Sequence, residues 1–176
     1  MQAEEVVLIS ADDVAYGTME KLQAHREGLL HRAFSVLIIN DAGEMLIHQR
    51  ALGKYHSAGA WTNACCGHPR SNETTQAAAE RRLHEEMGFS VPLKKLYHFT
   101  YRTELGNGLI EHELDHVFLG MYNEAPLPNP SEVADWRYIS IDRLQQELNM
   151  KPEQFSFWFR LIMKEFPLRY NALQKL

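Results

Sequence analysis

Residues 61–89 read WTNACCGHPRSNETTQAAAERRLHEEMGF, and the two halves of this stretch ask for different backbones. Cys65, Cys66, Gly67, His68 and Pro69 set a thiol and an imidazole beside one residue that frees the chain and one that restrains it. The second half predicts a helix. Asn72 can cap it, Glu73 falls in its first turn, Ala77, Ala78 and Ala79 carry the highest helix propensity, and Gly88 is a stop just past the last turn. Ala79, Leu83 and Met87 recur at i, i+4 and i+8 as a narrow apolar stripe. Arg82 and Glu86 form a second row at the edge of that stripe. Glu86 is therefore partly shielded, and its carboxylate needs a cation, from Arg82 or from a metal.

Around this stretch the chain is ordinary for a soluble globular protein. Its 176 residues suffice for one well-filled core, and 45% are hydrophobic against 23% charged. A net charge of −5 argues against a nucleic-acid backbone as the main partner, while leaving room for a small anion held by local cations. The sequence has no apolar run of about 18 residues, so no membrane span is expected. Its first ten residues lack the basic start of a secretory signal. Cys65 and Cys66 are adjacent and ill placed for a disulfide, so a reduced cytoplasmic setting is expected.

Apolar patterning predicts strands at 5–9, 34–39, 45–49, 96–104, 109–122 and 133–140, with turns at 40–43 and 106–108. A helical turn or two at 19–25 carries Lys21 and His25 and breaks at Gly28. Further helices are expected at 141–149 and 156–174, a loop at 55–61 and a Pro-rich connection at 125–130. The sum is one mixed α/β domain. Within 109–122, alternation puts Leu109, Glu111, Glu113 and Asp115 on one face and Ile110, His112, Leu114 and His116 on the other.

Glu111 and Glu113, one pleat repeat apart, repel unless a cation, a proton or bulk water relieves them. A solvent-facing edge strand would do so, and so would a metal shared with His25, His31 and His68, although each imidazole alone reads as an ordinary surface or hydrogen-bonded one. Cys65 reads as a small core residue. Cys66, beside Gly67 and His68, has surroundings that ease thiolate chemistry. Lys21, Arg50, Lys54 and Arg82 are scattered cations that matter only if the fold brings them to one anion. Trp158 is a core anchor by default, and its ring face can also stabilise a carbocation.

Gly67, Glu73, Arg81, Leu83, Glu85, Glu86, Gly88 and Phe89 resemble the Nudix box, G-x5-E-x7-R-E-U-x-E-E-x-G-U, with Arg82 in place of its first paired Glu. That glutamate helps hold the metal in pyrophosphate hydrolases, so Arg82 sets this chain apart from them. W-T-N-x-x-C-G-H-P at 61–69, R-A-L-x-K at 50–54, the E-x-E pair at 111–113, Tyr101 and the S-F-W run at 156–158 resemble the type 1 isopentenyl-diphosphate Δ-isomerase family, in which the Arg82 departure is the rule.

The resemblance implies a Nudix-type mixed sheet flanked by helices, in one domain over residues 1–176 with the box at 67–89. It also implies that Cys66 and Glu113 are the acid/base pair, with Tyr101 hydrogen-bonded to Glu113 and Trp158 facing a tertiary cation. His25, His31, His68, Glu111 and Glu113 would hold one Mn²⁺ or Zn²⁺. Glu86 would serve a Mg²⁺ bridging to the diphosphate, which Lys21, Arg50, Lys54 and Arg82 would bind. The expected partner is a small diphosphate, with no nucleic acid and no membrane, and the expected assembly is a monomer or weak homodimer. A Nudix hydrolase of nucleoside diphosphate derivatives and a non-catalytic metal-binding module are the alternatives.

Overall fold

A run that is apolar at nearly every position is covered on both faces, and residues 34–39 of the strand 31–39 are such a run. They form the axis of the fold in the computed structural model, which describes residues 4–54 and 56–173. In chain order the elements are β1 (Glu5–Ile9), β2 (Ala15–Glu20), α1 (Lys21–Glu27), β3 (His31–Ile39), β4 (Glu44–Arg50), β5 (Trp61–Thr62), β6 (Cys65–Gly67) and α2 (Thr75–Met87). After these come β7 (Lys94–Gly106), β8 (Leu109–Met121), β9 (Val133–Ser140), α3 (Ile141–Met150) and α4 (Phe157–Leu173). All nine strands join one sheet. β3 runs parallel to β8 with His31 opposite Glu113, and β8 pairs antiparallel with β7 on its other side.

Alternation along β3 feeds two cores. Leu37 and Ile39 face α3 and α4, joining Met45, Ile47, Val117, Phe159, Ile162 and Phe166. Phe34, Val36 and Ile38 face α2, joining Leu46, Ala78, Ala79, Leu83 and Met87. The expected stripe of Ala79, Leu83 and Met87 is fully buried. Burying each large side chain of this kind stabilises the fold by about 1.5–3 kcal/mol.

The predicted strands are all present, and the 141–149 helix is one residue longer. The expected helix at 156–174 ends at Leu173, and Gln174 lies outside the described residues, as do residues 1–3 and Tyr55 of the predicted loop. Three expectations are corrected. Thr74, not Asn72, caps α2, its hydroxyl accepting the Ala77 N–H at 3.1 Å. Glu73 stands before the helix because its carboxylate is taken by the Arg81 guanidinium at 2.7 and 2.9 Å and by the Arg70 N–H at 3.1 Å. The Glu111/Glu113 strand is no sheet edge, since β3 and β7 flank it. Gly88 does end α2, in the left-handed region at φ 78°, where a Cβ would collide with the Leu127 carbonyl. β2, β5 and β6 were not expected; β2 and β5 end the main strand order, and β6 is a three-residue strand paired with β3.

Candidate active site

Register builds the site. Tyr101 on β7, Glu113 on β8 and His31 on β3 stand in one row across three strands. The Tyr101 hydroxyl lies 2.8 Å from Glu113 Oε2 and 3.1 Å from Glu111 Oε2. One hydroxyl has one proton. It donates to one carboxylate, and the other must bring a proton of its own. Glu111 is that proton's place: burial and the neighbouring Glu113 charge push it well above the usual carboxylate range. Burial works against ionised Glu113 as well, but hydrogen bonds from His31 and His68 outweigh it and hold Glu113 well below that range.

The imidazoles are oriented by the backbone. His25 sits on α1, the short helix started by Glu20, whose carboxylate accepts the Leu22 and Gln23 N–H groups. His25 Nδ1 is 2.6 Å from the Lys21 carbonyl, and His31 Nδ1 is 2.9 Å from the Leu29 carbonyl. A carbonyl can only accept, so both Nδ1 atoms carry hydrogen; a neutral ring then holds its lone pair at Nε2, and the His31 ring donates to Glu113 through Nε2 only when it also carries a proton there. His68, on the turn that leaves β6, puts Nε2 2.9 Å from Glu113 Oε1, and His31 Nε2 lies 3.3 Å from the same oxygen. Among the described residues, His25, His31 and Glu113 bring ligand atoms within 4.8 Å of one another. Burial lowers the pKa of His25, and that of His68 to about 4, so both are neutral at physiological pH. Imidazoles gathered around a buried carboxylate, two of them oriented by backbone carbonyls, are a donor set that fits a divalent transition metal. Of the five residues expected to bind it, His25, His31 and Glu113 form the tight group; His68 joins through Glu113, and Glu111 through the Tyr101 hydroxyl.

A cavity of about 920 Å³ opens over this row, and Cys66 and Glu113 both line it, with Tyr101, Trp158, Lys21, Arg50, Lys54, Arg82 and Glu86. The four scattered cations are thus brought to one place. Alternation in β6 divides the cysteines: Cys65 is fully buried against α2, while half-buried Cys66, opposite Ser35 of β3, faces the cavity. Burial pushes the Cys66 thiol up to about 12, which corrects the expectation of easy thiolate chemistry: this sulfur keeps its proton. At the other end Arg82 is bonded to Glu86, and burial pushes Glu86 up to about 7 against the pull of Arg82. Lys21 Nζ lies 3.0 Å from Glu4 Oε2.

Sequence reasoning passed over several residues. Asn63 is fully buried; it accepts from Trp158 Nε1 at 3.1 Å and donates to the carbonyls of Val36 at 3.1 Å and Cys65 at 2.6 Å. It thereby ties the indole to the strand that carries Cys66, and Thr62 is linked in turn to Ser156 at 2.8 Å. His56 lines the cavity 4.0 Å from Glu111 Oε1, and Glu132 is ion-paired with Lys54. The W-T-N run was the available signal for Asn63. His56 and Glu132 lie on irregular segments that no periodicity marks.

A mixed sheet held between helices, with the box helix at the mouth of the cavity, is the NUDIX architecture, and the NUDIX domain model matches residues 29–160. DR0079 from Deinococcus radiodurans shares the fold with a TM-score of 0.71 at 18% identity, over 84% of this chain and 90% of that one. The MutT protein from Methanosarcina mazei Go1 does so at 0.67 and 20%, over 80% and 95%. Sequence similarity is much higher to the isopentenyl-diphosphate Delta-isomerases of Serratia proteamaculans and Pectobacterium atrosepticum. The first is 49% identical over 92% of this chain and 90% of its own length, the second 47% over 99% and 97%. The chain belongs to the isopentenyl-diphosphate Delta-isomerase family of NUDIX-domain proteins.

Proposed function

We propose that the protein interconverts isopentenyl and dimethylallyl diphosphate, with Cys66 and Glu113 as the acid/base pair. The observation that carries this reading is that a protonated thiol and an ionised carboxylate line one cavity with an indole, and that four cations line it too. The double bond moves by one carbon when a proton is added at one end of the allylic unit and another is removed at the other end. No electrons are gained or lost, so no redox partner is required. In the resting protein Cys66 is the member of the pair that carries a proton and Glu113 the member that can accept one. Tyr101 keeps the Glu113 carboxylate in place by its hydrogen bond. Trp158, held by Asn63, offers its ring to the tertiary cation.

His25, His31, His68, Glu111 and Glu113 would hold Mn²⁺ or Zn²⁺, and Glu86 would serve a Mg²⁺ that arrives with the diphosphate. Bound there, these ions would supply positive charge that favours ionised Glu113 and balances the phosphate oxygens. Lys21, Arg50, Lys54 and Arg82 would grip the diphosphate. Arg82 also argues against the hydrolase alternative, since a cation fills the place of a metal-binding carboxylate. No helix among the described residues is long and apolar enough to cross a membrane.

Incubation with isopentenyl diphosphate and a divalent metal in D₂O tests the reading. Dimethylallyl diphosphate carrying deuterium is expected, and Cys66→Ala and Glu113→Gln should each abolish its formation while the protein stays folded. Release of phosphate or pyrophosphate, or full turnover by both variants, would overturn it.

A further inference from the structure

At the mouth of the cavity four side chains alternate in sign. Glu132 Oε2 is paired closely with Lys54 Nζ, and Arg82 Nη2 binds Glu86 Oε1 and lies 3.6 Å from Glu132 Oε1. All four line the cavity. Glu132 is held there by its backbone: its N–H donates to the Asn129 carbonyl and its own carbonyl accepts from Ala51 N–H, both at 2.9 Å. A second observation points to an anion in the same cavity. Arg50, 9% exposed, lines this cavity with a buried Nε that has no hydrogen-bond partner. A buried donor without an acceptor is rare enough to mark where one is meant to sit.

With Glu86 ionised, the charges of Lys54, Arg82, Glu86 and Glu132 sum to zero. A diphosphate that draws Lys54 and Arg82 to its oxygens would leave two shielded carboxylates facing each other, and a divalent cation between them would restore the balance. We propose that Glu132 is the internal anion that diphosphate displaces, and that it then joins Glu86 in receiving the cation that accompanies the diphosphate. Glu132 thereby couples the two ligands, so that each binds poorly without the other. This inference rests on the reading of the cavity as a diphosphate site.

Calorimetric titration of the full chain with inorganic pyrophosphate, without added Mg²⁺ and with Mg²⁺ in excess, measures the coupling. In Glu132→Gln, pyrophosphate should bind about fivefold more tightly without Mg²⁺, because Lys54 no longer has to leave a carboxylate and Arg82 has one fewer to leave. With Mg²⁺ it should bind about tenfold more weakly, because one ligand of the cation is gone. A side chain that merely shapes the pocket would shift both constants the same way. In a Lys54→Met background the metal-free gain should shrink. If wild-type protein fails to bind pyrophosphate under either condition, the diphosphate reading itself falls. If wild type binds and Glu132→Gln shifts both constants in one direction or neither, the role of Glu132 falls and the reading of the cavity stands.

Discussion

Replacing Tyr101 by Phe removes one oxygen and leaves the ring in place, so its effect reports on the hydroxyl alone. That hydroxyl is buried between Glu111 and Glu113, at 3.1 and 2.8 Å. A hydrogen bond to an ionised group is worth about 1.5–3 kcal/mol, and a buried partner left without it loses about as much. Tyr101→Phe should therefore unfold at a lower denaturant concentration, with a loss of about 1.5–3 kcal/mol. The hydroxyl also holds Oε2 of Glu113, while Oε1 is engaged by His31 and His68. If alignment of Glu113 depends on it to the same extent, kcat/KM for isopentenyl diphosphate should fall about 10- to 100-fold. Initial rates followed by proton NMR, beside urea unfolding of the same preparations, measure both. A variant within about twofold of wild type in rate and about 0.5 kcal/mol in stability would refute the claim that this hydroxyl organises the two carboxylates.

Two further substitutions probe the scaffold. Asn63→Ala leaves the Trp158 N–H and the carbonyls of Val36 and Cys65 without their buried partner; a stability loss of about 2–4 kcal/mol and a red-shifted Trp158 emission are expected, and a loss below about 0.5 kcal/mol would contradict the assignment. His48, buried and 3.2 Å from the Ala64 carbonyl, has its pKa lowered to about 4 by burial first and then by Arg50. Folded His48 thus binds fewer protons than unfolded His48, whose pKa is about 6.5. Its contribution is whole above that value and is lost as pH falls through 6.5 toward 4. Between pH 8 and 5 it accounts for about 2 kcal/mol of lost stability. His48→Gln, which keeps a donor for Ala64, should flatten the pH dependence of urea unfolding by that amount, and an unchanged slope would show that His48 takes no part in it.

What could be read from the sequence divides along physical lines. α2 and β8 announced themselves because their periods, 3.6 and 2, are written in consecutive residues. The stop at Gly88 was legible because a left-handed residue packed against a neighbouring carbonyl admits little else. The cap was misread because Asn72 and Thr74 are both good caps, and the choice is settled by Arg81 drawing Glu73 out of the helix. β2, β5 and β6 left little trace, because strands of two to six residues have no long apolar run. The metal-type cluster could not be derived from spacing, since its members come from α1, β3, β8 and the turn after β6. Only the resemblance to a family linked them in advance.

The parallel pairing of β3 with β8 explains why such distant residues meet. With His31 set opposite Glu113, every second residue of both strands reaches the same face, so Glu111, Glu113 and Asp115 line up beside His31, Ala33 and Ser35. Ser35 in turn sets Cys66 of β6 on that face, and Tyr101 of β7 closes the row from the other side. A slip of one residue in the β3/β8 register would turn the carboxylates into the apolar layer under α2 and bring Leu114 to the site. Burial of Phe34, Val36 and Ile38 against α2 opposes that slip. The same apolar packing that holds the sheet together therefore fixes which side chains the cavity contains, and Cys66, Glu113 and His31 keep their places on strands without any loop having to order them.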